Sequence, residues 1–262
     1  MLLATELEGV LLPLPNDPRN RADLMWLVES RYQSPWQLVY LTQRTRAAVC
    51  EAIITHHLPL PDVVIADGGT TIYTAEVPFM LTPLADYETH LRGLVGEWEV
   101  EALDRLALNH SGMRLLDEEH QGRWQRCFHI AAERLAATLA ALEKRLADEP
   151  LRCRARATPP AVGEEDARID LLPASVDFLS AFEWWIANQT TEPPSAVYAG
   201  QASNATAISR NFRAILVAGN EVSSGTTVVE PPEADERFYH ATAPASSGVV
   251  EGWRHFLGQA RR

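Results

Sequence analysis

The chain has 262 residues, with 23 basic against 35 acidic side chains and a formal net charge of −12. That balance repels phosphate backbones and excludes non-specific nucleic-acid binding as a main role. Hydrophobic residues at 46% and charged residues at 22% exclude a disordered, collagenous or coiled-coil chain, and they supply a core for one large domain or two modest ones.

The elements follow in chain order. Leu2 to Thr5 is a short apolar run bounded by polar residues, the pattern of a buried parallel strand. Residues 20–31 predict a helix, Gln37 to Leu41 a second strand, and residues 44–55 a second helix. Asp62 to Ala66 predicts a third strand, Gly68-Gly69 a turn, and Thr71 to Tyr73 a small extra strand. Strands alternating with helices through short links point to an α/β sheet. Beyond residue 82 the character changes. Helices are expected over 84–95 and 97–108, and antiparallel strands over Met113 to Leu116 and Arg126 to Ile130. Leu135, Leu139, Leu142 and Leu146 mark a helix over 131–147, and Leu151 to Ala155 another strand. Pro159, Pro160 and Gly163 read as a linker.

The sheet pattern is then expected to resume with a strand over Arg168 to Leu172 and a helix carrying Phe178, Phe182 and Trp185. Ser195 to Ala199 and Ala214 to Val217 predict strands, with a short helix around Ala205 to Ser209 between them. Thr226 to Val229 would be an edge strand, Phe238 to Ala241 a short one, and residues 247–260 a closing helix. The expected architecture is a parallel Rossmann-like sheet, residues 1–82 and 162–262, interrupted by an α+β cap at 83–161. Ligands of such sheets bind beyond the carboxyl ends of the strands. The residues placed there are Glu6, Glu8, Thr42, Pro173 and Gly200 to Asn204.

Lys144 is the only lysine, so chemistry that needs a lysine outside its helix is excluded. Cys50, Cys127 and Cys153 are scattered and form no Cys-x-x-Cys pair. They argue against a disulfide scaffold or cysteine zinc site and for a reducing compartment. The histidines show no zinc-ligand spacing. No stretch approaches the roughly 18 apolar residues of a membrane span, and the start of the chain carries no basic lead. A cytoplasmic protein without a membrane partner is expected.

The strand tips, taken together, resemble the haloacid-dehalogenase-like phosphatases, and more narrowly their sucrose-phosphate phosphatase branch. Glu6-Leu7-Glu8-Gly9-Val10 stands where that family has Asp-x-Asp, and Thr42 stands where it has the Thr or Ser ending strand two. Ile65-Ala66-Asp67-Gly68-Gly69-Thr70 fits the segment leading to Gly-Thr. Leu172-Pro173 is present, with Phe178 near the family's lysine position. Gly200-Gln201-Ala202-Ser203-Asn204-Ala205 stands for Gly-Asp-Ser-x-Asn-Asp, and Gly248-Val249-Val250-Glu251-Gly252 looks like the end of the branch. The resemblance implies a haloacid-dehalogenase-type core with an inserted cap. It also implies a first Asp that attacks phosphorus, a second that moves protons, a lysine and a hydroxyl that hold the phosphoryl group, and acidic residues that hold Mg²⁺.

The nucleophile, proton-donor, cation and metal-ligand positions all depart from that pattern. Glu6 and Glu8 keep charge but add a methylene, and misplacing a reacting group by about 1 Å can cost about a hundredfold. Gln201 and Ala205 replace both metal-holding aspartates, which removes most of the anchoring charge. Phe178 replaces the cation. No functional catalytic residue and no metal or other cofactor is therefore expected, and a binding or regulatory protein of sugar metabolism is the leading reading. Its ligand would be sucrose or a phosphosugar, its partner a sucrose-phosphate synthase or another sugar-metabolising enzyme. The ligand-binding candidates are Glu6, Glu8, Thr42, Arg44, Arg126 and Asn204. Two alternatives stay open: an Mg²⁺-dependent phosphosugar phosphatase with an altered site, and a scaffold with no small ligand. Several residues also have plainer roles. Thr42 suits a helix N-cap, Ser203 and Asn204 suit another, and Phe178 suits core packing. Arg123 and Arg126 suit a strand with one wet face.

Overall fold

β1 (Leu2–Glu6) is buried along its whole length, because parallel strands flank it and other layers cover both its faces. The computed structural model describes residues 1–76, 79–110, 112–148, 152–160, 165–189, 195–201, 212–218 and 236–260. In it β1 lies inside an eight-stranded sheet. β2 (Gln37–Leu41) and β3 (Val63–Ala66) follow in parallel on one side. β10 (Ala196–Gln201), β11 (Arg213–Ala218) and β12 (Phe238–Pro244) follow in parallel on the other. β4 (Thr71–Glu76) and β5 (Met80–Pro83) extend the sheet beyond β3 as antiparallel strands.

The period of two divides the strands between two cores. Leu3, Tyr40, Val64, Val197 and Ile215 face one layer, made of α1 (Pro18–Gln33), α2 (Arg46–His56) and α7 (Ala245–Ala260). Leu2, Ala4, Val39, Ile65 and Tyr198 face the other, with α3 (Ala85–Val95) and α6 (Phe178–Ala187). Asp17 caps α1, its side chain accepting from the backbone N–H of Arg19 and Asn20, with Pro18 in the first turn. The buried Asn20 donates to the Ser247 hydroxyl at 2.8 Å and ties α1 to α7.

A second, four-stranded antiparallel sheet has the order β6 (Arg114–Leu115), β7 (Arg126–Ala131), β9 (Asp166–Pro173), β8 (Cys153–Thr158). α4 (Val100–Leu108) and α5 (Leu135–Asp148) back it. Phe128, Ile130, Ile169 and Leu171 pack there against Leu103, Leu106, Leu142 and Leu146. The opposite face carries Cys127, His129, Arg154, Arg156, Arg168 and Asp170, as the strand register requires.

The strand over Arg168 to Leu172 was expected to reopen the large sheet, but it is β9 and pairs with β7 and β8. Its alternation of charged Arg168 and Asp170 with apolar Ala167, Ile169 and Leu171 is the signature of a half-buried antiparallel strand. We place the return to the larger sheet after Pro173. The segments expected as a helix at 205–209 and an edge strand at 226–229 lie outside the described residues. Among the described residues, no helix is long and apolar enough to cross a membrane.

Candidate functional site

The chain runs from β1 to β2 on one side and returns as β10 on the other, so the order reverses beside β1. A crevice at the carboxyl ends of the strands is expected at such a point. Glu6 ends β1, Gln201 ends β10, and Thr42 follows β2. Glu6 is only 6% exposed. Its Oε1 accepts the hydroxyl of Tyr198, which rises from β10. Gly9, at φ 70°, brings the next loop against Gln201. The left-handed φ at this turn favours glycine.

That loop presents Glu8 to the tip of β2. The Thr42 hydroxyl donates to Glu8 at 2.8 Å from Oε1 and 3.0 Å from Oε2. Arg44 adds its Nε at 2.9 Å, and its backbone N–H donates to the Thr42 oxygen at 3.1 Å. Thr42 is therefore not the N-cap of α2. Thr45 fills that role, accepting from the Ala48 N–H. The helix starts later than its composition suggests, and Thr42 is left to meet Glu8.

Phe178 is the first residue of α6, behind the Asp177–Ser180 capping box. It is buried at 9% exposure among Val176, Ala181 and Phe182. The backbone of Asp177 and Phe178 lies against Gly69, where a Cβ would sit 2.2 Å from the Asp177 carbonyl carbon. The adjacent Gly68 donates its N–H to the Thr42 carbonyl at 3.2 Å. Phe178 is thus a close neighbour of the Thr42 segment. The guanidinium of Arg156, from the second sheet, lies 6.0 Å from its ring centroid.

Arg126 is not brought to these residues. In register it faces Leu171, on the helix-covered side of the second sheet, and Asp104 of α4 holds it through both carboxylate oxygens at 2.9 and 2.5 Å. Spacing along β7 decides this: Arg126 shares a face with Phe128 and Ile130, while Cys127 and His129 take the other. Ser203, Asn204 and Ala205 lie outside the described residues.

Residues 1–257 match the family described as sucrose-6F-phosphate phosphohydrolase. The chain belongs to that family. A putative HAD-like hydrolase of Nitrosococcus oceani is 27% identical, over 100% of this chain and 73% of its own length. A mannosylfructose-phosphate phosphatase of Agrobacterium fabrum is 26% identical, over 97% of this chain and 96% of its own. The sucrose-phosphatase of Synechocystis sp. PCC6803, solved with sucrose and phosphate, superposes with a TM-score of 0.73 at 18% identity, covering 98% and 97% of the two chains. The shared fold is the haloacid-dehalogenase-like α/β architecture with an inserted cap.

In this member of the sucrose-6F-phosphate phosphohydrolase family, the donors that the described residues bring to the strand tips do not fit Mg²⁺. The ion takes oxygen lone pairs in an octahedron. Gln201 instead faces the Glu8 carbonyl with its Nε2, at 3.5 Å, and one Glu6 oxygen is engaged by Tyr198.

The structure also gathers residues that the sequence reading passed over. Gln43, Asp67, Gln125 and Asp170 are all at or below 8% exposure. Both side-chain atoms of each glutamine, Oδ1 of Asp67 and Oδ2 of Asp170 have no hydrogen-bond partner among the described residues. They lie where core and cap meet. Gly68 stands between Gln43 and Leu172, and Gly122 between Gln125 and Asp67. Burial pushes the Asp67 carboxyl up to about 6, against the opposing pull of Thr71 and Arg168. Beside Asp67 a cavity of about 430 Å³ is lined by Arg46, Tyr73, Tyr87, Arg123 and Trp124 among others. The available signal was the alternation of charge at 154, 156, 168 and 170, which marks one polar strand face. The pairing of β8 with β9 joins them on one face, and the bonds of Arg154 to Val176 and of Arg168 to Gln43 turn that face to the core.

Proposed function

We propose that this chain is a family member that binds its ligand without hydrolysing it, in a binding or regulatory role in sugar metabolism. The observation that carries the reading is the Glu8 carboxylate, which already takes the Thr42 hydroxyl and the Arg44 Nε. An incoming phosphoryl group would meet a like charge in the place where the resemblance puts its hydroxyl donor. The longer Glu6, engaged by Tyr198, and the unsuitable metal donors support the same reading.

Sucrose or a phosphosugar is the proposed ligand class. The amides of Gln43 and Gln125 and one carboxyl oxygen each of Asp67 and Asp170, without a hydrogen-bond partner among the described residues, are groups that a polyhydroxyl compound can satisfy. Trp124 and Tyr87 line the adjoining cavity and offer flat apolar surface for a sugar ring. The proposed setting is the cytoplasm, where the free thiols of Cys50, Cys127 and Cys153 stay reduced. The proposed protein partner is a sucrose-phosphate synthase or another sugar-metabolising enzyme.

The test is a titration of the intrinsic tryptophan fluorescence with sucrose and with sucrose 6-phosphate. A saturable change supports binding; a flat response to both favours a scaffold without a small ligand. A second reading, an Mg²⁺-dependent phosphosugar phosphatase with an altered site, draws on Thr42 and on the carboxylates of Glu6 and Glu8, which stand at the strand tips.

A further inference from the structure

The second sheet turns three arginines toward the core. Arg154 donates to the Val176 carbonyl at 2.8 Å. Arg168 is engaged by Asp170 at 2.5 Å and by the Gln43 carbonyl at 3.4 Å. Arg156 differs from both. It stands opposite Asp170 in the β8–β9 register, and its guanidinium lies over the Phe178 ring, 6.0 Å from the centroid. Phe178 in turn abuts the Gly68–Gly69 turn that is bonded to Thr42. The cap therefore carries a cation to the edge of the crevice, on the side where the core itself offers an apolar ring.

The surroundings oppose and favour this charge in turn. Burial and the neighbouring Arg154 weigh against it, while Glu8, Asp170 and Glu6 weigh for it. An arginine stays protonated throughout. A guanidinium within the field of Glu8 and Glu6 and placed over the Phe178 ring is a group that an incoming anion can share or take over.

We infer that Arg156 is the specificity-determining residue of the crevice. Together with Thr42 and Arg44 it holds the phosphate group of a phosphorylated ligand once Glu8 swings aside. The inference rests on the binding reading above and deepens it: the ligand is a phosphate monoester rather than a neutral sugar, and the Glu8 carboxylate is the internal anion that it displaces.

The test uses isothermal titration of the full chain with inorganic phosphate, sucrose 6-phosphate and sucrose, in four forms: wild type, E8Q, R156Q and E8Q/R156Q. E8Q is expected to bind phosphate about tenfold tighter than wild type, because the competing carboxylate charge is gone. Adding R156Q to E8Q is expected to weaken phosphate and sucrose 6-phosphate about tenfold or more and to leave sucrose unchanged. An R156K form that recovers part of the loss, with an unchanged melting temperature, separates loss of the cation from misfolding. Equal phosphate affinity in E8Q and E8Q/R156Q would overturn the proposal, as would a loss that extends equally to sucrose. Tight binding of sucrose 6-phosphate without inorganic phosphate would assign the site to the ester rather than the free ion, and the R156Q loss would still be required. Release of phosphate from the ester during the titration would sink the binding reading instead, while the comparison of E8Q with E8Q/R156Q would still decide the role of Arg156.

Discussion

Thr42 and Glu8, 34 residues apart in sequence, are joined by the Thr42 hydroxyl, 2.8 Å from one carboxylate oxygen and 3.0 Å from the other. Thr42 is fully buried and also accepts the Arg44 N–H, so one oxygen organises the tip of β2. Thr42→Val keeps the shape and removes all three contacts. It is expected to cost about 1–2 kcal/mol, read as a lowered midpoint in urea. An unchanged midpoint would mean that the hydroxyl is not holding the loop.

Asp67 makes stability depend on pH in a direction opposite to most carboxylates. Burial raises its folded-state pKa from 3.8 to about 6, so the native state binds the proton more tightly than the unfolded chain. Its contribution favours folding below about pH 4 and is lost as pH rises through about 6. Asp67→Asn keeps a side chain that tolerates the φ of 51° found here. The variant is expected to match wild type near pH 3.5 and to exceed it by about 2–3 kcal/mol at pH 7. Denaturant unfolding across that range checks it, and equal stability at pH 7 would contradict it.

Arg126 separates structure from recognition. Its bidentate pair with Asp104 has side chains only 14% and 23% exposed, and breaking such a pair leaves a half-buried carboxylate uncompensated. Arg126→Met is expected to lower stability by about 1–3 kcal/mol. Ligand affinity, followed by tryptophan fluorescence, should stay within about twofold, because the guanidinium points away from the core. A selective loss of affinity would return Arg126 to the binding site.

Local pattern made much of the large sheet legible. β2 occupies the residues expected of it, Gln37–Leu41, because a short apolar run between polar turns has few other uses. β9 shows the limit. Its existence was visible, but its membership of the second sheet depends on pairing with β7 and β8, which no local window contains. The position of Glu6, Glu8 and Thr42 at adjoining strand tips was likewise legible. Their actual partners were not, since the Tyr198–Glu6 bond and the Arg156–Phe178 contact join residues from distant parts of the chain. Thr42 suits an N-cap by residue type, but a second threonine, Thr45, stands three residues on and caps α2 instead. Only the loop geometry shows that Glu8 claims the first.

The central claim is that the crevice binds without phosphoester hydrolysis. Its most direct test is phosphate release from sucrose 6-phosphate with excess Mg²⁺, measured for the parent chain beside Glu6→Ala. The binding reading predicts the same background from both. Mg²⁺-dependent release by the parent that disappears in Glu6→Ala would contradict it and would make Glu6 a working nucleophile.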